Sequence, residues 1–126
     1  DQGDWLKRKR PCFQLWNMQV MSKDGTVVPC CKDLFFELKL GNIKTHAIDQ
    51  MWYGERLKQM RLDQIQGKFE QYAVCSNCIH PPGGELSVSE VIDYLCDVGR
   101  TDLIGPYLDR ITRLADADHK QPAASH

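Results

Sequence analysis

No run of apolar residues in this chain approaches the length of about 20 needed to cross a bilayer. Charge of one sign is not in surplus either. The 16 Lys and Arg are matched by 17 Asp and Glu, a formal net charge of −1. That balance offers no bulk attraction to nucleic acid or to an anionic membrane, so neither is an expected partner. The first residues, Asp1-Gln2-Gly3-Asp4, are polar and acidic and lack the apolar core of an export signal. The expected compartment is therefore the cytoplasm. An initiating Met is missing, and the chain is expected to be a fragment or a processed product. No internal repeat occurs. Histidine is sparse, and His46, His80, His119 and His126 show no metal-ligand spacing with one another.

What remains is an ordinary composition, with 42% hydrophobic and 26% charged residues in 126. This length suits one domain of modest stability, the size class that often gains from a covalent or metal staple. Cysteine is the residue type that stands out, at positions 12, 30, 31, 75, 78 and 96. An even count permits three disulfides in a secreted protein. In a reducing compartment, clustered thiols instead bind metal or do redox chemistry.

The pattern along the chain predicts a small α+β fold: a β-hairpin and short helices around a four-cysteine metal site, with a C-terminal helical segment. Residues 1–11 read as a linker. Within it Lys7-Arg8-Lys9-Arg10 lacks the interleaved aromatics of a nucleic-acid contact. Phe13 to Met21 is rich in aromatic and aliphatic residues, and Thr26-Val27-Val28 is β-branched. With Asp24-Gly25 between them they predict two hairpin strands. Leu40-Gly41-Asn42-Ile43 reads as a loop, followed by a short helix capped by Thr45 and ending near Met51-Trp52. A second helix is expected from about 55 to 66, charged on one side, with Leu57, Met60 and Ile65 apolar and Gly67 as its stop. His80-Pro81-Pro82-Gly83-Gly84 excludes regular structure. Beyond it, Ser87-Val88-Ser89-Glu90 has capping-box spacing. Val88, Val91, Ile92, Leu95 and Cys96 then share a helical face that Gly99 ends. A last helix is expected from about 102 to 115, with Leu103, Tyr107, Leu108, Ile111 and Leu114 as its stripe. The domain layout that follows is a linker over 1–11, a cysteine-bearing domain over 12–84, a helical segment over 85–115 and a disordered tail over 116–126.

The chemically informative set is Cys12, Cys30, Cys75 and Cys78. Four thiolates satisfy a tetrahedral zinc ion or the four irons of a cubane cluster. Cys75 and Cys78, two residues apart, can reach one centre within a single turn. The fold has to bring Cys12 and Cys30 to them. Cys31 is an alternative to Cys30, and His80 a weaker candidate ligand. Cys96, on an apolar stripe, is expected to be a buried structural thiol. A thioredoxin-like dithiol at Cys75 and Cys78 needs a helix running on from the motif, and the Pro/Gly cluster argues against one. Hairpin pairing about Asp24-Gly25 sets Cys30 opposite Asn17 or Met18. Cys12 would then lie about 17–20 Å away if the intervening residues were extended, so either that segment bends back or another strand arrangement applies.

Three features together resemble the SPASM and shorter twitch domains, the auxiliary-cluster domains of radical S-adenosylmethionine enzymes. Cys12 is followed by a hydrophobic stretch, an Asp-Gly turn and Gly25-x4-Cys30. Leu40-Gly41-Asn42-Ile43 precedes a short helix ending in Trp52. Arg56 and Arg61 lie in a charged helix before Cys75-x2-Cys78. The resemblance covers about residues 11–80. It implies that Cys12, Cys30, Cys75 and Cys78 bind one auxiliary 4Fe–4S cluster, Zn2+ being the alternative for the same four thiolates in a structural protein-interaction module. Only Cys96 follows Cys78, too few for a second cluster, which implies the single-cluster version used by small-molecule dehydrogenases rather than by peptide and sulfatase maturases. The C-x3-C-x2-C loop that binds S-adenosylmethionine in the family's catalytic barrel is missing. The chain is therefore expected to be an accessory domain of an oxidoreductase or maturase, not catalytic alone, with the barrel in cis or trans as its partner and a small molecule or peptide as the substrate. Its expected role is electron transfer or positioning.

Overall fold

The structure, a computed structural model, describes residues 10–17, 19–30, 33, 36–76, 78 and 85–120. Cys31, His80, the Pro81 to Gly84 cluster, Lys7 to Lys9 and residues 121–126 lie outside the described residues, so the expectations attached to them are not addressed below. The α+β class is observed. A three-stranded antiparallel sheet in the order β1-β2-β3 is combined with several helices. The chain divides into two compact units with the boundary between Leu86 and Ser87.

In the first unit, β1 (Val20–Met21) and β2 (Thr26–Val28) form the expected hairpin, with Val20 opposite Val28 and Met21 opposite Val27. The connection is one residue longer than a two-residue turn. Ser22 N–H donates to Thr26 O at 2.9 Å and Gly25 N–H to Ser22 O at 3.1 Å. This is a three-residue loop with Gly25 at φ +92°, a conformation that costs other residues energy. The Asp24 carboxylate accepts hydrogen bonds from the Ser22 hydroxyl and from Thr26 N–H. Those bonds, the Ser22 one foremost, hold its pKa down at about 2. The Leu40 to Ile43 stretch is not a plain loop. Gly41–Asn42 is a third strand, β3, pairing Asn42 with Thr26 and Gly41 with Val27. The Asn42 amide donates to Asp24 O at 3.1 Å, so this strand also clamps the hairpin turn. Gly41 is required by close approach: a Cβ there would stand 2.9 Å from the buried Met51 Sδ.

The first hairpin strand is shorter than its composition suggests. Gln14–Asn17 is a helical turn, α1, where extended structure was expected. Local propensity yields here to tertiary contacts. Leu15 enters a buried cluster with Leu38, Leu57 and Met60, against which Trp16, Leu40, Trp52, Tyr72 and Val74 pack. Leu15 O accepts a hydrogen bond from Arg61 Nε at 2.9 Å. After β3 come α2 (Ile48–Trp52) and α3 (Glu55–Ile65), separated by Gly54. Thr45 does not cap α2. It bonds back to Asn42 O, and Ala47 N–H is satisfied by Gln50 Oε1 at 2.8 Å. Helix α3 ends at the expected place: Gly67 N–H donates to Gln64 O and Lys68 N–H to Asp63 O, a Schellman closure. Its burial is broader than the apolar stripe predicted. Arg61, Asp63 and Gln64 are buried together with Leu57, Met60, Leu62 and Ile65.

Arg61 is the largest of these polar insertions. Besides Leu15 O, its guanidinium reaches Trp52 O at 3.2 Å, and it lies 4.6 Å from the Trp52 ring centroid and 5.8 Å from that of Trp16. One side chain thus ties α1, the end of α2 and α3 together by directional bonds and cation–π contact. A short helical turn, α4 (Ala73–Ser76), follows. The unit closes where Leu86 N–H donates to Pro11 O at 2.9 Å and Cys12 bridges Glu85.

The second unit is helical. Helix α5 (Val88–Asp97) starts on the predicted capping box: Ser87 Oγ accepts from Glu90 N–H at 3.2 Å, and Glu90 Oε1 accepts from Ser87 N–H at 3.1 Å. Gly99 ends it. Val91 and Leu95 are its buried residues, whereas Cys96 is exposed. The expectation of a buried thiol fails because Cys96 lies about 100° around the helix from Leu95. A 3-10 turn (Thr101–Leu103) leads into α6 (Ile104–Lys120), with Pro106 in its first turn, where a missing N–H is tolerated. Tyr107 and Leu114 are buried, and Leu108 is exposed. This helix continues through 116–120, part of the stretch expected to be a tail. No described helix is long and apolar enough to cross a membrane.

Two substitutions test this architecture. Arg61→Lys keeps the charge but loses the planar fork, and should cost about 2–3 kcal/mol. Gly25→Ala places a Cβ 2.7 Å from Asn42 Oδ1 at positive φ, and should cost at least about 1–2 kcal/mol. Urea unfolding reads both as a lower midpoint at unchanged slope. A midpoint equal to that of the unmutated chain would refute the corresponding contact.

Candidate metal centre

The cysteines arrive at the site by different routes. Cys30 follows β2 directly, through the buried Pro29. The expected pairing of Cys30 opposite Asn17 or Met18 is not among the observed pairs, which are Val20 with Val28 and Met21 with Val27. A helical turn, not an extended strand, then solves the problem of Cys12. Helix α1 folds the 12–17 segment back, and Cys12 begins it: its Sγ accepts from Gln14 N–H at 3.4 Å and its carbonyl from Leu15 N–H at 3.4 Å. Cys75 lies on α4, and Cys78 N–H donates to Cys75 O at 3.2 Å, closing the turn that puts both thiols on one side.

Cys12, Cys30, Cys75 and Cys78 line a single cavity. Cys12 and Cys30 are buried at 8% and 9% exposure, while Cys75 and Cys78 are half-buried. Leu15 and Val74 supply apolar wall. Among the described residues, no three His, Cys, Asp or Glu side chains converge closely enough to hold a single metal ion. Cys96, in the second unit, and His46, whose Nδ1 pairs with Thr45 Oγ1 at 2.8 Å, are not part of the cavity.

Two further cavity residues were not singled out from the sequence. Gln64 Oε1 accepts from Cys12 N–H at 2.7 Å, and its Nε2 lies 3.6 Å from Cys75 Sγ. Gln14 is buried in the cavity wall, and its Nε2 has no hydrogen-bond partner among the described residues. A signal for Gln64 was present: Leu57, Met60 and Gln64 have i, i+3, i+7 spacing, so a polar residue falls on the buried face of α3. Arg61, at i+4 from Leu57, follows the same logic. Gln14 carries no comparable signal, because its burial depends on α1 forming where a strand was expected.

Neighbouring polar groups hold the walls in place. Buried Asp63 accepts from Gln59 Nε2 at 2.9 Å, from Gln71 Nε2 at 2.7 Å and from the Tyr72 hydroxyl. Burial first, and then Asp63 itself, push the Tyr72 phenol well above its ordinary value, so it stays a donor. That bond pins the approach to Cys75 onto α3. After Cys30, buried Asp33 accepts from Glu37 N–H at 2.8 Å and Leu38 N–H at 2.7 Å, shaping the loop that delivers Leu38 to the core.

Comparison with known proteins agrees with this geometry. The family model for the SPASM iron–sulfur cluster-binding domain matches residues 12–79, a span that starts at Cys12 and ends just past Cys78. The S-adenosyl-L-methionine-dependent 2-deoxy-scyllo-inosamine dehydrogenase of Niallia circulans is 26% identical over 72 residues, which is 57% of this chain and 29% of that protein. This chain thus matches less than a third of that relative's length. No solved structure matches. With the family model covering more than half of the chain and all four cavity cysteines inside it, the chain belongs to the SPASM family of iron–sulfur cluster-binding domains.

Proposed function

We propose that Cys12, Cys30, Cys75 and Cys78 each bind one iron of a single 4Fe–4S cluster, and that the chain is the auxiliary-cluster part of a radical S-adenosylmethionine enzyme. The observation that carries this reading is the ring of four thiols, drawn from three separate segments, around one cavity. The surroundings fit such a group. Thiolates are the ligands iron–sulfur clusters take, and Leu15 and Val74 give the cavity apolar wall. Gln14 lines the same cavity, and its buried Nε2 has no acceptor among the described residues. When bound, the cluster supplies reversible one-electron storage.

The same thiolates suit zinc in kind, but the match to a family of iron–sulfur cluster-binding domains favours iron. Four cysteines for four irons leave no position open for S-adenosylmethionine or for substrate. The part left to these residues is to hold the cluster in place, so that it accepts or relays an electron from a substrate being oxidised. Binding also orders the domain against a catalytic barrel supplied in cis or in trans. The likeness to a protein named as a dehydrogenase favours a small-molecule substrate over a peptide.

The anaerobically reconstituted chain should be brown and carry iron and sulfide near four atoms of each, the stoichiometry of one cubane. Cys75→Ser and Cys78→Ser should lose the metal and much of the fold, because a site that closes long loops supplies folding free energy. Cys12→Ser should likewise lose the intact cluster, and Cys96→Ser should retain it. A colourless, zinc-loaded protein, or full iron in Cys75→Ser, defeats the assignment. The reconstituted chain is also expected not to cleave S-adenosylmethionine under dithionite. Production of 5′-deoxyadenosine above a cluster-free control would show an open iron, and hence one ligand fewer than proposed.

A further inference from the structure

Two glutamine side chains share the cavity with the four cysteines. Gln64, at 2% exposure, is gripped at one end: its Oε1 accepts the Cys12 N–H at 2.7 Å. That bond fixes the sense of the amide, since only oxygen can accept from a backbone N–H. The Nε2 end is therefore the one turned toward Cys75 Sγ, at 3.6 Å. Gln14, also at 2% exposure, lines the same cavity and buries an Nε2 without a partner. Native proteins leave few buried donors unpaired, and each one calls for an explanation. The cavity offers sulfur as the acceptor.

We propose that the side-chain amides of Gln14 and Gln64 donate N–H···S hydrogen bonds to the sulfurs of the bound cluster and raise its reduction potential. The inference rests on the four-cysteine reading above. Reduction adds negative charge that spreads over the sulfurs. A fixed N–H dipole aimed at them stabilises the reduced form more than the oxidised one. Burial of the two amides strengthens the effect, because little water competes for their N–H groups. Glutamine does this without adding a formal charge. Gln64 has two functions at once: its oxygen positions the Cys12 backbone, and its nitrogen addresses Cys75.

The test uses the full chain reconstituted with iron and sulfide under argon, with potentials read by EPR-monitored redox titration. Gln14→Leu should keep its iron and show a more negative midpoint potential; Gln64→Leu, which also removes the acceptor for Cys12 N–H, should lower both the iron content and the potential of the cluster that remains. Gln64→Glu keeps an oxygen for the Cys12 N–H but replaces the donor with an anion. Its potential should fall below that of Gln64→Leu. One measurement needs no variant. In protein made by cell-free synthesis with 15N confined to glutamine side-chain amides, the reduced cluster should show 15N hyperfine coupling. Leu variants with full iron and unmoved potentials, or no 15N coupling, overturn the proposed hydrogen bonds while leaving the ligand set standing. An unmutated chain that takes up no iron overturns the four-cysteine reading and this inference together.

Discussion

A hydrogen bond of 2.7 Å from Cys12 N–H to Gln64 Oε1 joins two parts of the chain 52 residues apart. It sets one wall of the sulfur cavity, and it belongs to a wider pattern on helix α3. Each buried polar residue of that helix reaches beyond the helix. Arg61 takes the carbonyls of Leu15 and Trp52, Asp63 takes Gln71 and Tyr72, and Gln64 takes Cys12 and Cys75. The segments carrying Cys12 and Cys75 are therefore hung on one helix by directional bonds. Leu57 and Met60 on the same helix bury apolar surface against Leu15 and Leu38.

Directional bonds matter here because apolar packing alone sets distance but not orientation. A ring of thiols has to face inward, and a sulfur turned away by one rotamer no longer belongs to it. Buried polar groups are costly unless satisfied, and when satisfied they specify one arrangement. Arg61 shows the balance. Its charge is buried against two indole rings and two carbonyl oxygens, contacts that a lysine ammonium matches poorly. The sheet orients Cys30 in the same manner. Its register follows from the Gly25 loop, and Asn42 on β3 closes over that loop through Asp24 O.

Much of this was legible in the residues. The Asp24-Gly25 turn, the β-branched strand after it, the capping box at Ser87, and the stops at Gly67 and Gly99 all rest on local chemistry, and the structure has each of them. The four cavity cysteines were legible from their spacing and the motifs around them. Less legible were elements whose formation depends on distant partners. Phe13 to Met21 has the composition of a strand, yet Gln14–Asn17 is helical because Leu15 and Trp16 pack beside α3 and Arg61 holds the Leu15 carbonyl. Leu40 to Ile43 has the composition of a loop, yet Gly41 and Asn42 pair with β2 because the hairpin offers an open edge.

The sequence by itself determined the set of spaced cysteines, the hairpin, the start of α5, the stops of α3 and α5 and the family, because each depends on residues near one another in the chain or on a spacing that can be read directly. Tertiary structure alone decided how Cys12 reaches Cys30 and the Cys75–Cys78 pair, and which amides accompany them. Those outcomes depend on contacts between residues 46 to 52 positions apart, Leu15 with Arg61 and Cys12 with Gln64. Such contacts exist only once the helix between them is in place, and no local pattern encodes them. The exposure of Cys96 was decided the same way. Its helix could be read from the sequence, but which arc of that helix is buried is settled by what packs against Val91 and Leu95.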